Sequence, residues 1–404
     1  MRILQVHKFF HIKGGSEVYL FSLTDALKER GHNVAEFSMK SKKNKDSLWS
    51  KYFIENIDYD TTETLKKIKY GLKIIYSREA KNNISKLLIH FKPDIVHLHI
   101  FQHQLSPSIL PVIKKKKIPI VYTAHDLKCI CPNYKLLSHG HFCEECKGHK
   151  YYNCLKKKCV KNSYPKSLIN VIEMYFHHWR RYYDLIDLII TPSIFHRKKL
   201  IEFGFPRDKI VHLPNFLDEN HYSPSYSFGN YFTYFGRLSD EKGLPTLIKA
   251  MKFIEKKKLV IIGTGPLKNA LYEMIDQFNI KNVRLVGFKT GDQLRKLLRH
   301  SMFSILPSEG CENGPLSLIE SFAYGKPVIG SNMGGIPEHI SHKKDGLIFE
   351  AKNYYNLAQQ INFLINNPIE IKRMGKNARL KVKNKFSKKK HIKSIEEIYN
   401  KLLP

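Results

Sequence analysis

Long apolar runs are missing from this chain of 404 residues. No stretch approaches the roughly eighteen apolar residues that a membrane-crossing helix needs, so no such helix is expected. The start, MRILQVHKFFHIKGG, turns polar too early for a secretory signal peptide. A cytoplasmic protein is the expectation, free or associated with the inner face of the cell membrane. Acidic charge is scarce as well: 36 Asp and Glu stand against 68 Lys and Arg, a net charge of +32. A field of that sign suits nucleic acid, an anionic membrane surface or phosphorylated substrates. The lysines are spread through 42–43, 66–67, 114–117, 156–158 and 388–390. Solvated faces of a lysine-rich composition are the plain reading, and peripheral contact with an anionic membrane is the functional one. With no arginine–glycine tract and no known nucleic-acid motif, nucleic acid is not expected as a partner.

What the chain does contain, with 42% apolar residues, is an alternation of short apolar runs with amphipathic stretches, enough for two cores. In the first half the strand-like runs are Arg2–Val6, Asn33–Phe37, 93–99 (PDIVHLH), 119–123 (PIVYT), 187–191 and 209–214. In the second they are Tyr231–Phe235, 259–262, 284–288, 302–306, 328–330 and Gly346–Phe349. Residues 219–230 are polar with Pro and Gly and read as a linker. The expected fold class is α/β, with two doubly wound, Rossmann-like domains over 1–214 and 215–404. Ser16 is placed to cap a helix carrying Leu20, Leu23 and Leu27 on one face and ending at Gly31. Residues 40–92 read as helix or loop. Residues 167–183, with Arg180 and Arg181 among aromatic residues, form a helix read as packing on its own sheet, with a membrane face as the rival reading. Ser387 can cap a last helix with Ile392, Ile395, Ile398 and Leu402 on one face.

The stretch 307–330, PSEGCENGPLSLIESFAYGKPVIG, organises the second half. An apolar strand precedes it, Pro315 suits the first position of a helix, and Gly325 suits its end. The loop before Pro315 therefore delivers unpaired N–H groups at the carboxyl end of a strand, where α/β sheets bind phosphates. Glu312 precedes that helix, and Glu320 lies about one and a half turns into it, roughly 7 Å along the axis. Glycoside hydrolysis also uses paired carboxylates but does not call for an anion cradle between them. Arg237 and Lys242, in Gly236-Arg237-Leu238-Ser239-Asp240-Glu241-Lys242-Gly243, follow another strand and are placed to hold a diphosphate. Gly263-Thr264-Gly265-Pro266 is a further strand-to-helix turn that lacks the third glycine of a dinucleotide fingerprint.

These residues resemble the donor-binding signature of glycosyltransferase family 4, retaining enzymes of the GT-B fold. The resemblance rests on Pro307-Ser308, the Glu312/Glu320 spacing, Asn313-Gly314-Pro315 and Gly325-Lys326-Pro327-Val328-Ile329. It implies that a sugar passes from a nucleoside diphosphate sugar to a saccharide or lipid-linked acceptor hydroxyl, in polysaccharide or glycolipid assembly, at a site between the two domains. It further implies that Glu312 contacts the donor sugar, Glu320 the ribose, and Arg237 and Lys242 the leaving diphosphate. Gly14, Gly15, Gly265, Asn313, Gly314, Pro315 and Leu316 would line the donor, and the terminal helix, 387–403, would cross back onto the first domain. His125, in Ala124-His125-Asp126 after a strand and followed by Cys131-Pro132, would face the same site. His97, His99 and His103 read as core residues. No cofactor is expected in catalysis. A nucleotide-sugar epimerase of the same fold is the nearest alternative.

Two further features stand outside that signature. Asp58-Tyr59-Asp60 spells a metal-binding acid pair of the other large glycosyltransferase fold, yet with Thr61-Thr62 it reads better as a helix cap. Six of the seven cysteines fall in 129–159, and Cys143, Cys146, Cys154 and Cys159 occur in a polar segment with little to bury. Those four either hold a structural zinc ion or remain free thiols.

Overall fold

β-branched and aromatic residues concentrate in most of the short runs that become strands in a computed structural model, which describes residues 1–57 and 64–403, with the backbone alone for 64–69. Asp58, Tyr59, Asp60 and the cap expected there lie outside the described residues. The first strands are β1 (Arg2–Val6), β2 (Asn33–Phe37), β3 (Ile95–Leu98), β4 (Ile120–Thr123), β5 (Leu137–Ser138), β6 (His141–Phe142), β7 (Leu188–Thr191) and β8 (Ile210–His212). The others are β9 (Tyr231–Phe235), β10 (Lys258–Ile262), β11 (Val283–Gly287), β12 (Ser304–Leu306), β13 (Val328–Ser331) and β14 (Gly346–Phe349).

Two units divide the chain: Met1–Leu213 with His391–Pro404, and Pro214–Lys390. The first contains a six-stranded sheet in the order β2-β1-β3-β4-β7-β8 and a small β5-β6 hairpin; the second has the order β11-β10-β9-β12-β13-β14. Every pairing in the two large sheets is parallel. Parallel strands covered on both faces should be continuously apolar, and β3, β4, β12 and β13 are buried at every position. Both sheets are Rossmann-like. Their order reverses between β1 and β3 in the first unit and between β9 and β12 in the second, and such a reversal opens a crevice beyond the strands' carboxyl ends. In the second unit the core includes Phe232 on β9 stacked against Phe303, which precedes β12, with ring centroids 4.9 Å apart.

Two helix starts differ from the expectation. The first helix spans Gly15–Glu29, and Ser16 lies inside it. Its opening N–H group, on Gly14, donates to Glu17 Oε2 at 2.8 Å, so an acid three residues on does the capping. In the second unit the helix spans Leu316–Ala323 with Pro315 as its extended N-cap. The last helix, Lys388–Leu402, buries His391, Ile392, Ile395 and Tyr399, while Ile398 and Leu402 are half-buried. Within the first unit Tyr399 Oη meets His97 Nδ1 at 2.6 Å, and Glu396 accepts from Arg30 and His32.

Candidate active site

In the second unit, the loops after β9 and β12 meet at the strand-order reversal. Glycine permits the approach. Gly243 has φ +65°, and a Cβ built on it would lie 1.9 Å from the carbonyl oxygen of Pro307. Glu309 and Gly310 then donate their N–H groups to the Glu241 carbonyl, each at 2.9 Å. Gly265 is equally confined, since its Cβ would stand 2.3 Å from the Leu238 carbonyl oxygen. We expect Gly243→Ala to destabilise this unit by about 1–3 kcal/mol through backbone strain alone. Denaturant unfolding of the variant measures this, and unchanged stability would show that the two loops can separate freely.

The approach brings Lys242 Nζ to 2.5 Å from Glu312 Oε1, a pair separated by 70 residues in sequence. Ser308 donates to the same oxygen at 2.6 Å, and Glu312 Oε2 has no partner among the described residues. One carboxylate oxygen is thus fixed and the other is open. Asn215 anchors the loop by donating to the Gly314 carbonyl at 2.7 Å, and Gly335 donates to that of Glu312 at 2.7 Å. The N–H groups of Leu316 and Ser317, at the helix start, have no acceptor among the described residues. An unspent helix N-terminus beside a lysine is suited to an anion. Arg237 is exposed on the β9 loop, and its guanidinium forms no hydrogen bond or ion pair among the described residues.

Glu320 lies on the helix behind this loop. Tyr222 Oη is 3.4 Å from its Oε1, and burial raises the carboxyl pKa to about 7. A carboxylic acid so placed gains most from ligand hydroxyls that donate to its ionised form. Tyr222 comes from the segment expected to be only a linker, and no local signal joined it to Glu320.

The first unit gathers histidines at the carboxyl ends of β1, β3 and β4. His99 Nε2 is 2.5 Å from Gln5 Oε1, and His99 Nδ1 is 3.1 Å from His125 Nε2. With the Gln5 oxygen accepting, His99 accepts in turn from His125 Nε2–H, and His125 Nδ1 is left carrying a lone pair. Burial holds the His125 pKa down to about 3, so the ring is neutral at pH 7. Nδ1 forms no hydrogen bond among the described residues and is able to accept one from a ligand hydroxyl. His97 is a satisfied core residue between Tyr399 and Thr123. His103 pairs with Glu173, which also binds Lys128 Nζ at 2.9 Å. Gly14 and Gly15 open the first helix of this unit, with the Gly14 N–H already occupied by Glu17.

None of the seven cysteines forms a disulfide. Among the described residues no three His, Cys, Asp or Glu side chains are arranged to hold a metal ion, and this includes Cys143, Cys146, Cys154 and Cys159. The segment has an apolar core in which Cys146, Cys154 and half-buried Cys159 pack with Tyr151, Val171 and Met174. Sequence inspection of 143–159 alone missed that core, because Val171 and Met174 come from the following helix.

Comparison with known proteins agrees with this architecture. Residues 13–221 match Glycosyltransferase Family 4, and residues 222–381 match Glycosyl transferases group 1. An uncharacterized glycosyltransferase of Methanocaldococcus jannaschii is 30% identical over 177 residues, which cover 44% of this chain and 49% of that one. The chain thus matches about half the length of that relative. The capsular polysaccharide biosynthesis glycosyltransferase CapM of Staphylococcus aureus is 26% identical over 327 residues, 78% of this chain and 79% of CapM. Among solved structures, HepE of Anabaena in complex with UDP is similar in fold, with a TM-score of 0.71 at 17% identity over 99% of this chain and 100% of HepE. With both halves matched and the two Rossmann-like units in place, the chain belongs to glycosyltransferase family 4, of the GT-B fold.

Proposed function

We propose that this protein is a retaining glycosyltransferase that transfers a sugar from a nucleoside diphosphate sugar to an acceptor hydroxyl in polysaccharide or glycolipid assembly. The observation that carries the reading is the Lys242–Glu312 pair at an open helix N-terminus. It places a cation, unspent N–H groups and a half-free carboxylate within one loop cluster, which is what a sugar joined to a diphosphate requires. Support comes also from the names of relatives such as CapM and from the UDP bound to HepE.

In the proposed reaction the bond from the sugar's anomeric carbon to the diphosphate oxygen breaks, and its electron pair leaves with the phosphate. Lys242, Arg237 and the N–H groups of Leu316 and Ser317 stabilise that growing negative charge. Glu312 Oε2 faces the sugar as it becomes cationic. The acceptor oxygen bonds to the anomeric carbon on the face the phosphate left, and its proton passes to the departing phosphate. Incubation with a panel of sugar nucleotides tests the reading. One of them should raise the melting temperature and, with an added saccharide or lipid-linked acceptor, yield a glycosylated product. An isomerised sugar nucleotide with no glycosylated product would identify an epimerase instead.

The state of Glu320 gives this reading a pH signature. Its free-enzyme pKa is about 7, and ribose hydroxyls donate best to the carboxylate. Donor affinity should therefore rise with pH, by about ten-fold between pH 6 and pH 8 if only the ionised form binds. A sugar nucleotide is the suitable probe, because its diphosphate is esterified at both ends and keeps its charge over this range. Glu320→Gln should flatten the profile; a slope unchanged in that variant would assign the titration elsewhere. Without ligand the linkage runs the other way. The raised pKa makes folding stability fall as pH climbs from the ordinary carboxylate range to about 7.

A further inference from the structure

The helix Tyr164–Trp179 presents two unlike faces. Ser167, Asn170, Val171, Glu173, Met174 and His177 point into the first unit. On the outward face, where a helix in water should carry charge, stand Tyr164 (55% exposed), Leu168 (44%), Ile172 (42%), Tyr175 (39%) and Trp179 (76%). Their spacing of four, four, three and four residues aligns them in one stripe about 22 Å long. A single exposed leucine needs no explanation, but a contiguous apolar stripe does.

Cations border the stripe. Lys158 Nζ lies 4.4 Å from the Tyr164 ring centre, and the Arg180 guanidinium 5.8 Å from that of Trp179. Lys161 and Lys166 are exposed at the amino-terminal end. The helix exposes no acid, because Glu173 is buried against Lys128 and His103. Indole and phenol rings prefer the headgroup level of a bilayer, aliphatic side chains its acyl boundary, and lysine and arginine the anionic headgroups.

We infer that this face docks on an anionic lipid bilayer, with Leu168, Ile172 and Trp179 entering the acyl boundary and Lys158, Lys161 and Arg180 at the headgroups. A second copy of the chain is a poorer occupant, since a face-to-face pair would oppose these cations to one another. The inference is independent of the sugar-nucleotide reading and survives if that reading fails.

The chain has only two tryptophans, which makes a direct test available. Trp49 is half-buried with its ring 5.0 Å from that of Phe91, so Trp49→Phe leaves Trp179 as the sole indole. Its emission should shift to the blue, and the protein should float with vesicles, when phosphatidylglycerol is mixed into phosphatidylcholine. Phosphatidylcholine alone should bind far less. Leu168→Ser with Ile172→Ser should weaken vesicle partition about ten-fold or more, and Lys158→Gln or Arg180→Gln about five-fold each. Leu168, Ile172 and Arg180 are exposed and Lys158 is half-buried, and circular dichroism confirms that each variant remains folded. No emission shift, equal binding to both vesicle types, or full binding by the Leu168→Ser/Ile172→Ser chain would overturn the inference. So would a blue shift that appears on concentrating the protein without vesicles, which would identify a second copy as the occupant.

Discussion

Lys242→Ala is expected to turn over its sugar nucleotide about 10²–10³-fold more slowly than the parent chain, and Arg237→Ala to lose a similar factor. Both figures are those for removing one preorganised donor from a site of developing negative charge. The two cations differ in how they are held. Lys242 is fixed by Glu312 at 2.5 Å, whereas Arg237 has no protein partner among the described residues and in the proposed reaction would be ordered only by the diphosphate. Lys242→Arg should therefore recover little, because a planar guanidinium does not fit the position of a compact ammonium beside Glu312 and Ser308. Residues in contact do not act independently, so Lys242→Ala combined with Glu312→Gln should cost less than the product of the single losses. Steady-state rates of product formation measure all of these. A single variant with near-full turnover takes that residue out of the mechanism.

The architecture was legible because parallel strands leave a strong local trace. Tyr231–Phe235 and Gly346–Phe349 are strands over the very residues that the apolar runs marked, and 93–99 and 119–123 shortened only by their leading prolines and ends, to Ile95–Leu98 and Ile120–Thr123. Proline has no N–H to give to a ladder, so those edges retreat. The first unit comprises Met1–Leu213 and, from the other end of the chain, His391–Pro404.

Less legible were contacts between distant residues. Lys242 and Glu312 each stood out in their own stretches, but the 2.5 Å pair between them depends on Gly243 letting one loop lie on Pro307. The relay Gln5–His99–His125 spans three strands and has no spacing rule behind it. The sequence of 167–183 suggests a helix packed on its sheet, with a membrane face as the rival; the helix in fact packs on the neighbouring segments Thr64–Ile75 and Tyr152–Lys156, and its opposite face carries the exposed stripe. A helix with apolar residues on both sides gives a weak periodic signal, and only the fold separates the two faces. The apolar core of the Cys segment is hidden from the local sequence for a related reason: part of it comes from that helix.

The other large effect expected is on Glu312. Its Oε1 is taken by Lys242 and Ser308, which leaves Oε2 for the donor sugar in the proposed reaction, where that sugar becomes cationic. That interaction strengthens as the anomeric bond breaks, so Glu312→Gln should lower kcat by about ten-fold or more. Glu320 behaves differently. The ribose hydroxyls it is proposed to hold change little during the reaction, and an interaction equal in ground and transition states appears in KM. Glu320→Gln should therefore raise the donor KM at pH 8, where the parent carboxyl is ionised, and leave kcat nearly unchanged. The free nucleoside diphosphate separates the two roles without any turnover, because it carries ribose and phosphates but no sugar. It should bind Glu312→Gln nearly as well as the parent and bind Glu320→Gln worse, as titration calorimetry at pH 8 would show. If affinity for the nucleoside diphosphate falls equally in both variants, the assignment of sugar to Glu312 and ribose to Glu320 is wrong, and the Lys242–Glu312 pair serves the diphosphate as a unit.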